Sequence, residues 1–234
     1  MNIKHYYYYF KSALSEELCE QIKKVGIEKL NNAGKKAETL GKQSIQDSNG
    51  NHILLNNKTK EEVDSSGDIV VRDSDIAWID EQWLYNILQP YINHANENAG
   101  WKYDWDWSES IQFTKYGLNQ FYGWHADGGS DHNYVYTTDK SAYGYERNPN
   151  MIGKIRKLSM TVNLCRPEEY EGGNLKFDFG PHREQGQERY HECIEIRPQG
   201  SIIVFPSYVY HQVTPVTSGT RYSLVMWCDG YPFR

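Results

Sequence analysis

From Trp101 onward the chain alternates apolar and polar residues with a period of two, and this narrows its folds more than anything else. In KLSMTVNLC, Leu158, Met160, Val162 and Leu164 alternate with Ser159, Thr161 and Asn163. SESIQFTKYG sets Ile111 and Phe113 against Gln112, Thr114 and Tyr116, and NLKFDFG repeats the pattern with Leu175, Phe177 and Phe179. SIIVFP and TRYSLVMW complete the set. Successive side chains of a strand point to opposite faces, so alternation of this kind reads as half-buried strands. Several short strands punctuated by Gly and Pro predict a β-sandwich or jelly roll.

The first hundred residues read differently. Ser15 precedes EELCEQIKKVGIEKL, where Leu18, Ile22, Val25 and Leu30 recur at helical spacing. IDEQWLYNILQPYINHANENAG predicts a second helix with Leu84, Ile87, Leu88, Tyr91 and Ile92 on one face, a kink at Pro90 and a stop at Gly100. The polar stretch between them, 31–66, reads as mobile. Helices first and strands afterwards fit an α+β chain. The expectation is one domain over 1–234, with 1–100 mainly helical support and 101–234 the jelly-roll core. A long polar, tyrosine-rich loop, 128–156, interrupts the strands and reads equally as a lid or as disorder.

A chain of 234 residues with 38% hydrophobic residues and a mean hydropathy of -0.78 carries no apolar run long enough to span a bilayer. MNIKHYYYYF lacks the layout of a signal peptide, and four scattered cysteines form no CxxC. A reducing cytoplasm is the expected setting. A net charge of -6 argues against a broad nucleic-acid footprint. The 19 Tyr and 7 Trp suit half-buried sites such as clefts, and ordinary sheet faces as well.

FYGWHADGG places His125 and Asp127 two residues apart, on one side of an extended strand. Alone this pair reads more readily as a solvated strand end than as a metal site. Late in the chain, GSIIVFPSYVYHQVTPVTSGTRYSLVMW supplies His211. Two histidines and one carboxylate with open positions form the facial triad of non-haem Fe(II) oxygenases. Ten residues on, Arg221 and Ser223 share a strand face amid Val216, Leu224, Val225 and Trp227. A buried guanidinium needs an anionic partner, and its fork suits a carboxylate such as that of 2-oxoglutarate. His132, His182 and His191 lack comparable context.

These residues, with YGLNQFYGWHAD and EEYEGGNLKF in this order, resemble the Fe(II)/2-oxoglutarate dioxygenases of the prolyl 4-hydroxylase type, in particular the bacterial PKHD-type hydroxylases, over roughly residues 105–230. The resemblance implies a double-stranded β-helix braced by N-terminal helices. It implies His125, Asp127 and His211 as catalytic iron ligands, and Arg221, Ser223, Tyr116 and Thr161 around 2-oxoglutarate. It further implies Fe(II), 2-oxoglutarate, O2 and ascorbate, with 2-oxoglutarate decarboxylated to succinate and CO2 as an unactivated C–H bond is hydroxylated. Arg at 221, where prolyl 4-hydroxylases often carry Lys, fits the PKHD type. The 130–156 loop is longer and more aromatic than the family pattern and leaves the substrate open.

A prolyl residue in a peptide or protein is the substrate the resemblance implies, and aromatic grooves suit extended proline-rich chains. Tyr122, Tyr134, Tyr136, Arg156 and Trp227 are the candidate substrate residues, with Tyr143, Tyr145, Arg147 and Lys157 nearby in sequence. A free amino acid or another side chain stands as an alternative target. A non-catalytic cupin-like metal-binding protein would have no use for Arg221 and Ser223. A nucleic-acid dealkylase would need a basic face, and a zinc hydrolase a general base that the sequence does not offer.

Overall fold

In the computed structural model, residues 5–41, 44–46, 52–55, 62–63, 69–128, 135–140, 146–180 and 188–233 are described. Among these residues two α-helices, α1 (Glu16–Ala33) and α2 (Gln82–Asn98), accompany seventeen strands. The first nine are β1 (Tyr8–Phe10), β2 (Lys35–Gly41), β3 (Ser44–Gln46), β4 (His52–Leu55), β5 (Glu62–Val63), β6 (Ile69–Ile79), β7 (Trp107–Ser108), β8 (Ile111–Tyr116) and β9 (Phe121–His125). Then follow β10 (Ile155–Asn163), β11 (Tyr170–Gly172), β12 (Leu175–Asp178), β13 (Tyr190–Glu192), β14 (Ile202–Pro206), β15 (Tyr210–Val213), β16 (Val216–Gly219) and β17 (Arg221–Gly230).

Twelve strands form one curled antiparallel sheet in the order β1-β14-β10-β17-β8-β6-β9-β15-β12-β13, with β2 on β6 and β7 on β17. One layer is β14-β10-β17-β8 and the other β9-β15-β12-β13. Strand β6 pairs with both β8 and β9 and so joins the layers. A cavity lined from both layers lies between them. This is the jelly roll, a double-stranded β-helix, that the alternation predicts.

The alternation carries a second meaning. Leu158, Met160, Val162, Phe113, Leu224 and Met226 face the helices and share one core with Cys19, Ile22, Leu84, Leu88 and Ile92. Burying each large aliphatic side chain contributes about 1.5–3 kcal/mol. The polar partners on β10 do not face solvent: Ser159, Thr161 and Asn163 are buried too. They belong to the interior between the layers.

Ser15 caps α1, its Oγ accepting from the Leu18 N–H at 3.2 Å. The buried stripe of α1 is Cys19, Ile22, Lys23 and Gly26, while Leu18, Val25 and Leu30 are only partly buried. Gly26 is needed there, since a Cβ would meet the Phe113 ring at 2.2 Å. In α2 the predicted face is buried at Leu84, Leu88 and Ile92, Pro90 lies inside the helix, and Gly100 follows its end at φ 73°. The expectation of a mobile stretch over 31–66 does not hold for its described parts, because β2 pairs with β6 along its length and β3, β4 and β5 form a small sheet. Backbone pairing of this kind needs no apolar face, so KKAETLG gives no periodic signal. Residues 1–100 are also less helical than expected, since β6 is a full member of the main sheet.

Candidate active site

The site begins with a bulge. Along the β9–β15 ladder, His211 stands opposite His125 and Val213 opposite Tyr122, so Gly123 and Trp124 of β9 face Gln212 of β15 alone. The bulge puts Tyr122 and His125 on one face despite their odd spacing. Their rings stack, with centroids 3.4 Å apart and planes at 12°. Asp127 follows β9 in a turn that is tied down by the Gly128 N–H to the Ser207 carbonyl at 2.9 Å.

Each histidine is fixed through its inner nitrogen. His125 Nδ1 lies 2.8 Å from the Gly123 carbonyl and His211 Nδ1 2.9 Å from the Val209 carbonyl. A carbonyl only accepts, so each Nδ1 carries a proton, and in the neutral ring it is Nε2 that presents a lone pair. Both Nε2 atoms point at Asp127, at 3.7 Å from Oδ1 and 3.7 Å from Oδ2 respectively. That is too long for a hydrogen bond. Asp127 Oδ2 is buried with no hydrogen-bond partner. Burial and the neighbouring His211 push His125 down to about 3, so it is an uncharged imidazole at neutral pH. Burial works to raise the Asp127 carboxyl, but His211, His125 and Arg156 outweigh it and hold it below its ordinary value. The Nε2 atoms of two imidazoles and a carboxylate therefore converge on one point. The three ligand atoms lie within 4.8 Å of one another, and this donor set fits a divalent cation of the Fe(II) type.

Arg221 extends the site. It is 1% exposed, on β17 directly opposite Tyr116 of β8, with its guanidinium over that ring at 5.4 Å. Nη1 donates to Ser223 Oγ at 3.2 Å, and Nε is buried without an acceptor. Among the described residues no carboxylate pairs with it. The Glu171-Gly172-Gly173 motif now has a reason. Gly173 has φ 57°, and a Cβ there would stand 3.0 Å from Arg221 Cδ, so the glycine makes room for the guanidinium's stem.

The cavity between the layers is lined by His125, Asp127, His211, Arg221, Ser223, Tyr116, Thr161, Tyr122 and Trp227, all singled out from the sequence. Two other candidates lie apart from that lining. Arg156 is bound through two nitrogens to Glu109, at 2.5 and 2.8 Å, and lies over Trp227 at 4.1 Å. Tyr136 donates to the same Glu109 at 3.2 Å. Both are occupied as struts: Arg156 also reaches the Asp127 carbonyl at 3.4 Å and so braces the turn that carries it. Lys157 lies over the Phe233 ring at 3.5 Å. His191 accepts or donates at 2.9 Å with Tyr7 and stacks on it, away from the site. Tyr134, Tyr143, Tyr145, His132 and His182 lie outside the described residues.

Sequence reasoning missed Arg72. It lies on β6 directly opposite Tyr122, is 8% exposed and lines the same cavity. Its signal was available: Arg72-Asp73-Ser74 repeats the R-x-S spacing of Arg221-Tyr222-Ser223.

Comparison with known proteins agrees with this geometry. The family model described as the 2OG-Fe(II) oxygenase superfamily matches residues 111–229, just over half the chain. A PKHD-type hydroxylase of Klebsiella pneumoniae is 32% identical over 117 residues, 49% of this chain and 40% of that protein. The PKHD-type hydroxylase YbiX of an Escherichia coli strain is 33% identical over 118 residues, 49% of this chain and again 40% of that protein. The matches thus span about two-fifths of these relatives' length. In fold, the chain is similar to the viral collagen prolyl hydroxylase of Paramecium Bursaria Chlorella virus-1, at TM-score 0.58 and 17% identity over 97% of both chains. A Pseudomonas putida prolyl-4-hydroxylase gives TM-score 0.56 and 16% identity over 96% of this chain and 92% of the other. With its converging lone pairs and its buried guanidinium inside the matched region, the chain belongs to the 2OG-Fe(II) oxygenase superfamily.

Proposed function

We propose that this protein is an Fe(II)- and 2-oxoglutarate-dependent hydroxylase whose substrate is a prolyl residue. The observation that carries the reading is the convergence of two imidazole lone pairs and an unpartnered carboxylate oxygen in one cavity with an unpaired buried guanidinium. His125, Asp127 and His211 hold the metal, and Arg221 with Ser223 and Tyr116 holds the far carboxylate of 2-oxoglutarate. Iron, O2 and 2-oxoglutarate together supply the oxidation: one oxygen atom enters the C–H bond and the other enters succinate as CO2 leaves.

The chain's own residues bind, orient and exclude water. The Gly123 and Val209 carbonyls fix the imidazole tautomers. Arg156, clamped by Glu109, steadies the Asp127 turn. Thr161 and Trp227 wall the cavity. The prolyl assignment is supported by the PKHD-type relatives and by the fold shared with prolyl hydroxylases, one of them, from Trichoplax adhaerens, in complex with a hypoxia inducible factor peptide.

The test is succinate formation from 2-oxoglutarate under air with added Fe(II), with and without a poly-proline-type peptide, beside thermal unfolding with Mn(II). Wild type should give peptide-stimulated succinate, and Mn(II) at 100 times its Kd should stabilise the fold by about 2.7 kcal/mol. His211→Ala should abolish both effects. Arg221→Ala should abolish succinate and keep the Mn(II) effect. A folded wild type that neither takes up metal nor binds 2-oxoglutarate overturns the reading.

A further inference from the structure

The cavity holds two buried arginines, and 2-oxoglutarate accounts for one. Arg72 and Arg221 stand on β6 and β17, the two strands that flank β8, and both line the cavity. Each donates to the serine two residues on, Arg72 Nε to Ser74 Oγ at 3.0 Å and Arg221 Nη1 to Ser223 Oγ at 3.2 Å. Each keeps one buried nitrogen with no acceptor, Nη2 in Arg72 and Nε in Arg221. Neither has a carboxylate partner among the described residues.

Charge decides what Arg72 awaits. Among the described residues, Asp127 is the one acidic residue lining the cavity. The metal dication and the 2-oxoglutarate dianion cancel, and Asp127 offsets one guanidinium. A single buried positive charge is left over, and an unpaired buried charge costs several kcal/mol. Position shows where its partner sits. The Arg72 guanidinium lies 4.6 Å from the Tyr122 ring centroid, and that ring stacks on the ligand His125. Arg72 is thus one aromatic ring away from the ligand His125, with strand β8 between it and the Arg221 strand. A planar fork with a free N–H recognises a carboxylate best.

We propose that Arg72 binds the carboxylate of the substrate itself, so that the hydroxylated residue carries a free α-carboxylate, either as a free amino acid or as a chain end. This rests on the function proposed above and narrows its substrate class. An internal prolyl residue, whose carbonyl is an amide, leaves Arg72 unpaired.

The experiment is calorimetric binding to Mn(II)-loaded protein without oxygen and saturated with 2-oxoglutarate. The probes are N-acetyl-L-proline, its neutral amide and L-proline. In wild type the acid should bind at least tenfold tighter than the amide. In Arg72→Gln that ratio should fall below threefold, with Arg72→Lys between, while the 2-oxoglutarate Kd moves less than threefold in both. L-proline binding tighter than N-acetyl-L-proline identifies a free amino acid, and the reverse order a chain end. Equal binding of acid and amide to wild type, or binding of neither, overturns the proposal whether or not the variants fold. So does an Arg72→Gln that weakens 2-oxoglutarate as much as Arg221→Gln does, which would place Arg72 at the cosubstrate. Failure of wild type to bind 2-oxoglutarate is a separate result, and it removes the hydroxylase reading first.

Discussion

Arg221 is a fully buried cation held by one serine hydroxyl, above one tyrosine ring, on the stem room that Gly173 leaves. Its fork and its charge are separable by substitution. Arg221→Lys keeps the charge but loses the bidentate geometry, and should raise the 2-oxoglutarate Kd about tenfold. Arg221→Gln loses both and should raise it about a hundredfold, near the 3 kcal/mol typical of breaking a buried charged pair. Mn(II) affinity should stay within threefold in both variants, as calorimetry will show. At this scale the sequence was highly legible. His125, Asp127, His211 and Arg221 each carried a weak signal singly, and their chemistry became specific only in combination. Arg156 misled because a strand arginine near the site reads as a substrate contact, whereas its carboxylate partner, Glu109, lies 47 residues earlier.

At the scale of elements, the β9 bulge and the Gly172-Gly173 turn do the positioning. The turn has φ of 68° and 57°, and a Cβ on Gly172 would come within 2.2 Å of the Pro215 carbonyl. Gly173→Ala pays the left-handed penalty of about 1–2 kcal/mol and also presses on Arg221 Cδ. Gly180→Ala, at φ 64° with no atom of the described residues within 4 Å of the added Cβ, meets only the first. Both should lower the urea midpoint, and only Gly173→Ala should raise the 2-oxoglutarate Kd, by threefold or more. Strands with apolar alternation, such as β10 and β17, could be read from the sequence. Strands β2 and β6 could not, because their middle residues are polar and their membership rests on backbone pairing with partners far along the chain. Periodicity also cannot say that a polar strand face looks into a site instead of into water. On β10 only the fold shows it.

For the whole molecule, a buried acid sets how stability follows pH. Asp229 is fully buried beside Glu109, with Arg156 and Lys154 near, and neither of its oxygens has a donor while ionised. Burial, then Glu109, push its carboxyl up to about 8, against the opposing pull of Arg156 and Lys154. An unfolded aspartate titrates near 4. Between those values the folded chain holds a proton that the unfolded chain lacks, so this group's contribution to stability falls as pH rises toward 8. Asp229→Asn keeps a donor for Glu109 without the charge. It should stabilise the protein by at least about 1 kcal/mol at pH 8, and by progressively less toward pH 5, in urea unfolding at each pH.

Strand β6 touches both layers and ends outside the segment that the family shares. Its Arg72 looks at the same cavity as the metal ligands, yet it is encoded more than fifty residues before the first of them. With Arg72 holding the substrate carboxylate as proposed, the metal ligands and that one substrate contact are written on separate stretches of the gene. A change confined to that one strand would then alter which molecule is held, while the metal ligands stay as they are.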